Sequence, residues 1–236
     1  MGVEVSVVLP AYNEAGRIEG AVKETCRALE GVTGSFEIIV AEDGSSDGTD
    51  LVARGLEERF GFVRHLHSDE RLGRGRALNR AFRIAKGEIL VYIDVDLATD
   101  MRHLSELIGH VRGGCDFVTG SRMLPESRVE RPLRRGVASR GFNFLVRLFL
   151  GSGLYDHQCG FKAFRRDALF EVLDEVKAGH WFWDTEVLVR GQLKGFRVCE
   201  FPVVWRHGGA TKVSLGRDVV GMGSQILRLW WELRRG

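Results

Sequence analysis

Asp94 and Asp96 stand at the end of an apolar run, residues 89–93, that is bounded by Gly87. A short run of large and β-branched residues predicts a strand buried on both faces. The two acids then fall just past its carboxyl end, where open α/β sheets bind ligands. Alternate residues on extended backbone share a face, so both carboxylates are expected to point at one ligand. Like charges aimed at one point repel unless a cation lies between them, and Mg²⁺ or Mn²⁺ held with substrate phosphates meets that need. Taken alone, an Asp-x-Asp reads more simply as a polar strand end, with Asp96 helping to start the next helix. The company it keeps shifts that balance.

Three further loops follow predicted strands and carry suitable side chains. Pro10-Ala-Tyr-Asn-Glu14 offers a stacking face at Tyr12 and an acceptor at Glu14. Glu42-Asp43-Gly-Ser-Ser-Asp-Gly-Thr49 brings Asp43 out of its strand as a pure acceptor, suited to a base N–H or ribose hydroxyls. Its residues 45–49 also read as a tight turn. Gly73-Arg-Gly-Arg-Ala-Leu-Asn79 is a glycine-rich helix entry at which Arg74 or Arg76 could meet phosphate. It lacks the last glycine of a dinucleotide fingerprint and no tight strand-to-helix turn precedes it, so that reading is rejected.

The elements that must position these loops alternate. Residues 3–9 predict a strand stopped by Pro10, and Ile18, Val22, Cys26 and Leu29 a helix face. Residues 36–40 predict a second strand, then Asp47 an N-cap for a helix carrying Leu51, Val52 and Leu56. A weaker strand at 62–66 precedes a helix marked by Ala77, Leu78, Ala81, Phe82 and Ala85. After the acidic strand, Thr99 or Asp100 caps a helix with Leu104, Leu107, Ile108 and Val111 inward, and 116–119 is one more strand. Such alternation implies an α/β fold, a mostly parallel sheet covered by helices on both faces.

The 236 residues suffice for one α/β domain, and a net charge of +2 makes no case for nucleic acid. Cys26, Cys115, Cys159 and Cys199 are far apart without metal-type spacing, so four free thiols in a reducing, cytoplasmic setting are expected. The first residues lack signal-peptide features, and no apolar stretch approaches the ~20 residues of a spanning helix. Seven arginines lie within residues 122–147, with Phe142, Phe144, Leu145, Leu148, Phe149 and Leu150 among or after the last of them. Residues 226–235 repeat that blend. Both segments suit the plane of a membrane interface, and both suit a core-facing helix with solvated arginines; periodicity does not separate the two.

The ordered set is specific. Val7-Val-Leu-Pro-Ala-Tyr-Asn-Glu, then Glu42-Asp-Gly-Ser-Ser-Asp-Gly-Thr, Asp94-Val-Asp and Gly120-Ser-Arg resembles the family 2 glycosyltransferases of the GT-A fold. Asp156-His-Gln-Cys-Gly-Phe-Lys-Ala-Phe, Trp183-Asp-Thr-Glu and Arg206-His-Gly-Gly-Ala-Thr-Lys-Val narrow the resemblance to the dolichyl (polyprenyl) phosphate hexose synthases, archaeal members above all. The resemblance implies a single GT-A domain over residues 1–236, with a donor half at 1–122 and an acceptor half with interfacial helices at 123–236. The activity it implies is inverting transfer of a hexose from GDP-mannose or UDP-glucose to the lipid phosphate, in support of protein glycosylation. The enzyme would sit peripherally on the cytoplasmic face of a membrane. Mannose-type members often carry Gln where Ala98 stands, so the donor sugar stays open. Many relatives continue into transmembrane helices, so a compact member and a catalytic piece are both compatible with the sequence.

On that resemblance the donor lies against Pro10, Ala11, Tyr12, Glu14, Asp43, Arg74 and Asp94, with the metal on Asp96 beside Asp94. Arg122, Arg206, Lys212, Arg140 and Lys162 face phosphates, and Asp94, Asp96, Asp184 and Arg122 carry catalysis. Asp184 and Glu186 read as base or sugar clamp, or as an exposed helix pair. Transfer to a lipid-linked oligosaccharide or sugar hydroxyl is the alternative. A sugar-1-phosphate nucleotidyltransferase would need an N-terminal glycine-rich loop with Arg and Lys, a polysaccharide-forming enzyme a Gln-x-x-Arg-Trp segment, and neither is present.

Overall fold

A computed structural model describes residues 2–130, 133–206 and 217–235. In chain order its strands are β1 Val5–Ala11, β2 Phe36–Glu42, β3 Val63–Leu66, β4 Ile89–Ile93, β5 Phe117–Ser121, β6 Arg128–Glu130, β7 Phe161–Arg165, β8 Val198–Pro202 and β9 Val204–Arg206. The helices are α1 Ile18–Glu30, α2 Thr49–Arg59, α3 Arg74–Ile84, α4 Leu104–Arg112, α5 Leu133–Leu150, α6 Arg166–Leu173, α7 Trp183–Leu193 and α8 Arg217–Arg235. Seven strands form one sheet in the order β3-β2-β1-β4-β7-β5-β8, in which only β7 runs antiparallel to its neighbours, and β6 pairs with β9 separately.

The alternation of strand side chains divides the core in two. Val5, Val7 and Leu9 of β1 pack with Ile18 of α1, Leu56 of α2 and Leu107 of α4 on one face. Val8 packs on the other with Leu78 of α3, Leu169 of α6, Trp183 of α7, Val146 of α5 and Leu229 of α8. The expected helix faces at α1, α3 and α4 are buried, although Cys26 is only partly so. Leu51 is exposed, and α2 turns Thr49, Ala53 and Leu56 inward instead.

Three expectations need correction. Pro10 does not stop the first strand: the ladder between β1 and β4 ends at Val8, so Pro10 stays in register with β2 alone and leaves no sheet bond unmade on the other side. Asp47 does not occupy the N-cap of α2; Gly48 does, with a left-handed φ of 90°, while Asp47 accepts from the Thr49 amide and hydroxyl. Nor are all four cysteines free. The parallel pairing of β5 with β8 brings Cys115 and Cys199 together as a disulfide across 84 residues, at a Cα separation of 6.1 Å, leaving Cys26 and Cys159 as thiols. Separation along the chain gave no sign of that neighbourhood.

Candidate active site

The chain leaves β4 at Ile93 and turns at once: the Leu97 amide donates to the Asp94 carbonyl and Leu97 takes a φ of 46°. The extended alternation expected for Asp94 and Asp96 is therefore absent, yet the turn brings both to one cleft. That shallow cleft, open to solvent, is lined by Ile93, Asp94, Asp96, Leu97, Ala98, Thr99, Gly160 and Trp205. Asp94 donates its amide to the Gly160 carbonyl, and any Cβ at Gly160 would fall inside the Asp94 carboxylate. Asp96 accepts from the Ala98 amide at 3.1 Å and, among the described residues, forms no salt bridge. Desolvation of its carboxylate, then the charge of Asp94, push Asp96 above the ordinary carboxylate range. A like-charged pair with one member lacking a basic partner fits a divalent cation, with Asp96 as the more available ligand.

Asp94 is tied inward. Arg74, at the start of α3, reaches Asp94 Oδ1 with Nη2 at 2.5 Å and Asp184 Oδ2 with Nη1 at 2.6 Å. Its guanidinium lies 5.1 Å from the Tyr92 ring centroid and 5.2 Å from that of Trp181. Asp184 is buried, not exposed on its helix, and also receives the Tyr92 hydroxyl and faces Lys162 Nζ at 3.2 Å. Burial pushes Asp184 up to about 6, against the opposing charge of Arg74, and pushes Lys162 down to about 7. Lys162 is fully enclosed, its ammonium also donating to the Cys159 carbonyl, so as placed it does not reach an external phosphate. Glu186 is absent from the cleft. It receives Arg190, Arg228 and the Lys177 and Ala178 amides, joining α7 to α8.

The glycine-rich entry to α3 is closed to phosphate by the protein itself. Its Gly75 and Arg76 amides donate to the Gly179 carbonyl, and Gly73, with φ 100°, permits that approach. Asp43 is buried, and its two oxygens accept the Leu72 and Gly73 amides at 2.7 and 2.9 Å. It thus anchors the loop that delivers Arg74.

Pro10 and Ala11 end β1, and the following loop is clamped by the turn at 42–49. Asn13 and Glu14 donate their amides to Ser45 Oγ and Thr49 Oγ1, and Ala15 donates to Asp47 Oδ2. The hydroxyls of that turn hold the neighbouring loop. Arg71 covers the Tyr12 ring at 3.9 Å, and Glu14 meets Arg17 at 3.4 Å. Arg122 forms a two-pronged pair with buried Asp156, at 2.7 and 2.9 Å, and lies 5.7 Å from the ring of Trp205, which lines the cleft. Arg206 is exposed and faces Glu130 at 3.6 Å, Arg140 is exposed on α5, and Lys212 lies outside the described residues.

The structure thus joins Arg74, Asp94, Asp184 and Lys162 and sets Asp96 beside them. Arg140 stands apart on α5. Tyr92, Gly160 and Trp205 had no chemical signal in the sequence: Tyr92 read as strand core, and nothing distinguishes a glycine that a carboxylate leans on.

The architecture is that of the GT-A glycosyltransferases. It matches the glucosyl-3-phosphoglycerate synthase of Mycobacterium tuberculosis, solved with Mn²⁺, UDP and phosphoglyceric acid, with a TM-score of 0.72 at 21% identity over 95% of this chain and 78% of that one. The family model "Glycosyl transferase family 2" matches residues 6–173, and the chain belongs to that family. It is 60% identical over 235 residues to the glycosyltransferase AglD of Haloferax volcanii, covering 98% of this chain but only 38% of AglD. It is 30% identical to the dolichyl-phosphate beta-glucosyltransferase ALG5D of Trichomonas vaginalis, over 96% of this chain and 73% of that protein.

Proposed function

We propose that this domain transfers a hexose, with inversion, from a nucleoside diphosphate hexose to dolichyl (polyprenyl) phosphate. The observation that carries this reading is the cleft at the end of β4, where Asp94 and Asp96 meet a buried Arg74–Asp184 pair. It is supported by likeness to a relative whose name specifies dolichyl phosphate as acceptor and glucose as the sugar. With Ala98 beside the acids, that name favours UDP-glucose over GDP-mannose.

Mg²⁺ or Mn²⁺ would be held by Asp96 with Asp94 beside it, supplying charge neutralisation to the departing nucleoside diphosphate. Arg74 keeps Asp94 from turning away, and Asp184, itself pinned by Tyr92 and Lys162, keeps Arg74 in place. A phosphate monoester has a second pKa near ~6, so the acceptor oxygen is already anionic at neutral pH and needs no general base. It attacks the anomeric carbon as the bond to the donor phosphate breaks, and the leaving diphosphate keeps the electron pair. Arg122, beside the cleft residue Trp205, and Arg206 are the cations assigned to the acceptor phosphate, with Lys212 as a further candidate on sequence alone.

The acceptor's tail needs an apolar surface. α5 exposes Phe144, Leu145, Leu148 and Phe149, and α8 exposes Leu227 and Trp231, each helix burying its opposite side. Among the described residues no helix is long and apolar enough to cross a membrane; on their exposed apolar faces these two helices are assigned to a membrane interface, at its cytoplasmic face as the resemblance implies. The donor half would comprise residues 1–122 and the acceptor half 123–236. The deciding experiment offers radiolabelled UDP-glucose and GDP-mannose with dolichyl phosphate and counts label in the lipid extract. Transfer only to free sugars or to a lipid-linked oligosaccharide would overturn this reading.

A further inference from the structure

A second cluster of potential ligands lies outside the cleft, at the edge of the sheet. Glu42 ends β2, and the parallel register that pairs Val40 with His65 and Ala41 with Leu66 continues so that Glu42 comes beside His67. His65 lies in β3 and His67 immediately follows its end, and their rings are 5.7 Å apart. One donor atom from each of the three residues lies within 4.8 Å of the others. Donors around tetrahedral zinc stand roughly 3.3 Å apart, so small side-chain rotations would close the set.

The surroundings are those of a ligand set. Glu42 is buried, its Oε1 held by the Ser45 amide at 2.5 Å while Oε2 faces His67 Nδ1, also at 2.5 Å. The other nitrogen of His67 meets Asp69 Oδ1 at 3.3 Å, the outer carboxylate that commonly orients a metal-bound imidazole. A plain Glu42–His67 hydrogen bond would account for these two residues, but not for the third. His65 Nε2 is shielded from solvent and has no hydrogen-bond partner, a condition that buried polar atoms rarely tolerate.

We infer that Glu42, His65 and His67 form a zinc-type metal site, separate from the Asp94–Asp96 cleft, that ties the edge strand β3 to the donor-side turn. Two imidazoles and one carboxylate select a late first-row ion such as Zn²⁺, whereas an all-oxygen pair suits Mg²⁺ or Mn²⁺. None of the three residues lines the cleft at β4. An ion here would fix the backbone just before Asp43, and through Ser45 and Thr49 the loop at Asn13 and Glu14. This inference does not depend on the transfer reaction.

The test uses chelator-stripped protein carrying Asp94→Asn and Asp96→Asn, so that the cleft does not contribute. Co²⁺ is titrated in and followed by visible absorption, then displaced with Zn²⁺, and Tm is measured with and without Zn²⁺. The expected result is one equivalent bound, with the intense bands of four-coordinate Co²⁺ and a Zn²⁺-dependent rise in Tm. Both should vanish in His65→Gln and in His67→Gln. Should His67→Gln fail to fold, His65→Gln still decides the matter, since His65 Nε2 makes no bond whose loss would unfold the chain. Absence of the bands and of the Tm rise, or their persistence in the His65→Gln protein, would overturn the assignment.

Discussion

Replacing Gly160 by alanine should damage catalysis far more than stability. A Cβ at this position would overlap Oδ2 and Cγ of Asp94, and even Oδ1 would lie 2.8 Å away, against 3.4 Å or more for ordinary contact. The carboxylate must therefore move by on the order of 1 Å, a displacement that can cost about 10²-fold when it misplaces catalytic groups. That is about 2.7 kcal/mol in transition-state stabilisation. The movement would also open the 2.5 Å contact with Arg74, releasing the guanidinium toward Asp184 alone. The fold should survive, because the Asp94 side chain is 39% exposed and can swing toward solvent. The assay is initial-rate hexose transfer to dolichyl phosphate across a Mn²⁺ titration, with Tm measured in parallel. A kcat/KM within twofold of the parent, at an unchanged metal requirement, would refute the claim that Gly160 holds Asp94 in place.

Three further outcomes are expected. Asp96→Ala should lower turnover by on the order of 10²–10³-fold with little change in Tm, since the residue is exposed at a turn, and EDTA should abolish parental activity; full turnover in EDTA would remove the metal role. His157, buried between Asn143 and Ser152, is pushed down to about 4 by desolvation from an ordinary 6.5. Between those values the unfolded chain binds a proton that the native state refuses, so stability should fall as pH drops through that window, by about 3 kcal/mol in all. Urea melts at several pH values should show this slope flattened in His157→Gln, and an equal slope would exclude His157 as its source. Leu148→Glu with Trp231→Glu, at sites 63% and 53% exposed, should leave the fold intact and abolish co-sedimentation with anionic liposomes at low salt; undiminished binding would move the interface elsewhere.

The first five strands and four helices were legible because each is a short apolar run or a periodic face set off by turn residues. Val5–Ala11 and Ile89–Ile93 are clear instances. β7 was not, because Phe161–Arg165 places Lys162 in a strand whose neighbours are all buried. A lysine there reads as surface until one sees Asp184, Tyr92 and the Cys159 carbonyl around it. The site shows the same division. Asp43, Arg74, Asp94 and Asp96 stood out because strand ends and helix entries are where ligands sit. Their roles did not: Asp43 faces inward to two amides, and Arg74 bridges two acids that are 90 positions apart in the chain. Such pairings depend on which strands become neighbours, and that information is spread over the whole sheet.

The position of β7 has a consequence for how the chain can be assembled. β4 and β5 are successive strands in the sequence, but they never pair with each other: 161–165 threads between them in the opposite direction and is the strand that joins them. During synthesis the outer edge of β4, five apolar buried residues, stays bare while roughly 70 more residues emerge, about 4–14 s at ordinary elongation rates. A bare, flat apolar edge invites pairing with another chain. The first 122 residues, although they hold both acids, should therefore aggregate when produced alone, and a soluble fragment will need to run at least through Arg165.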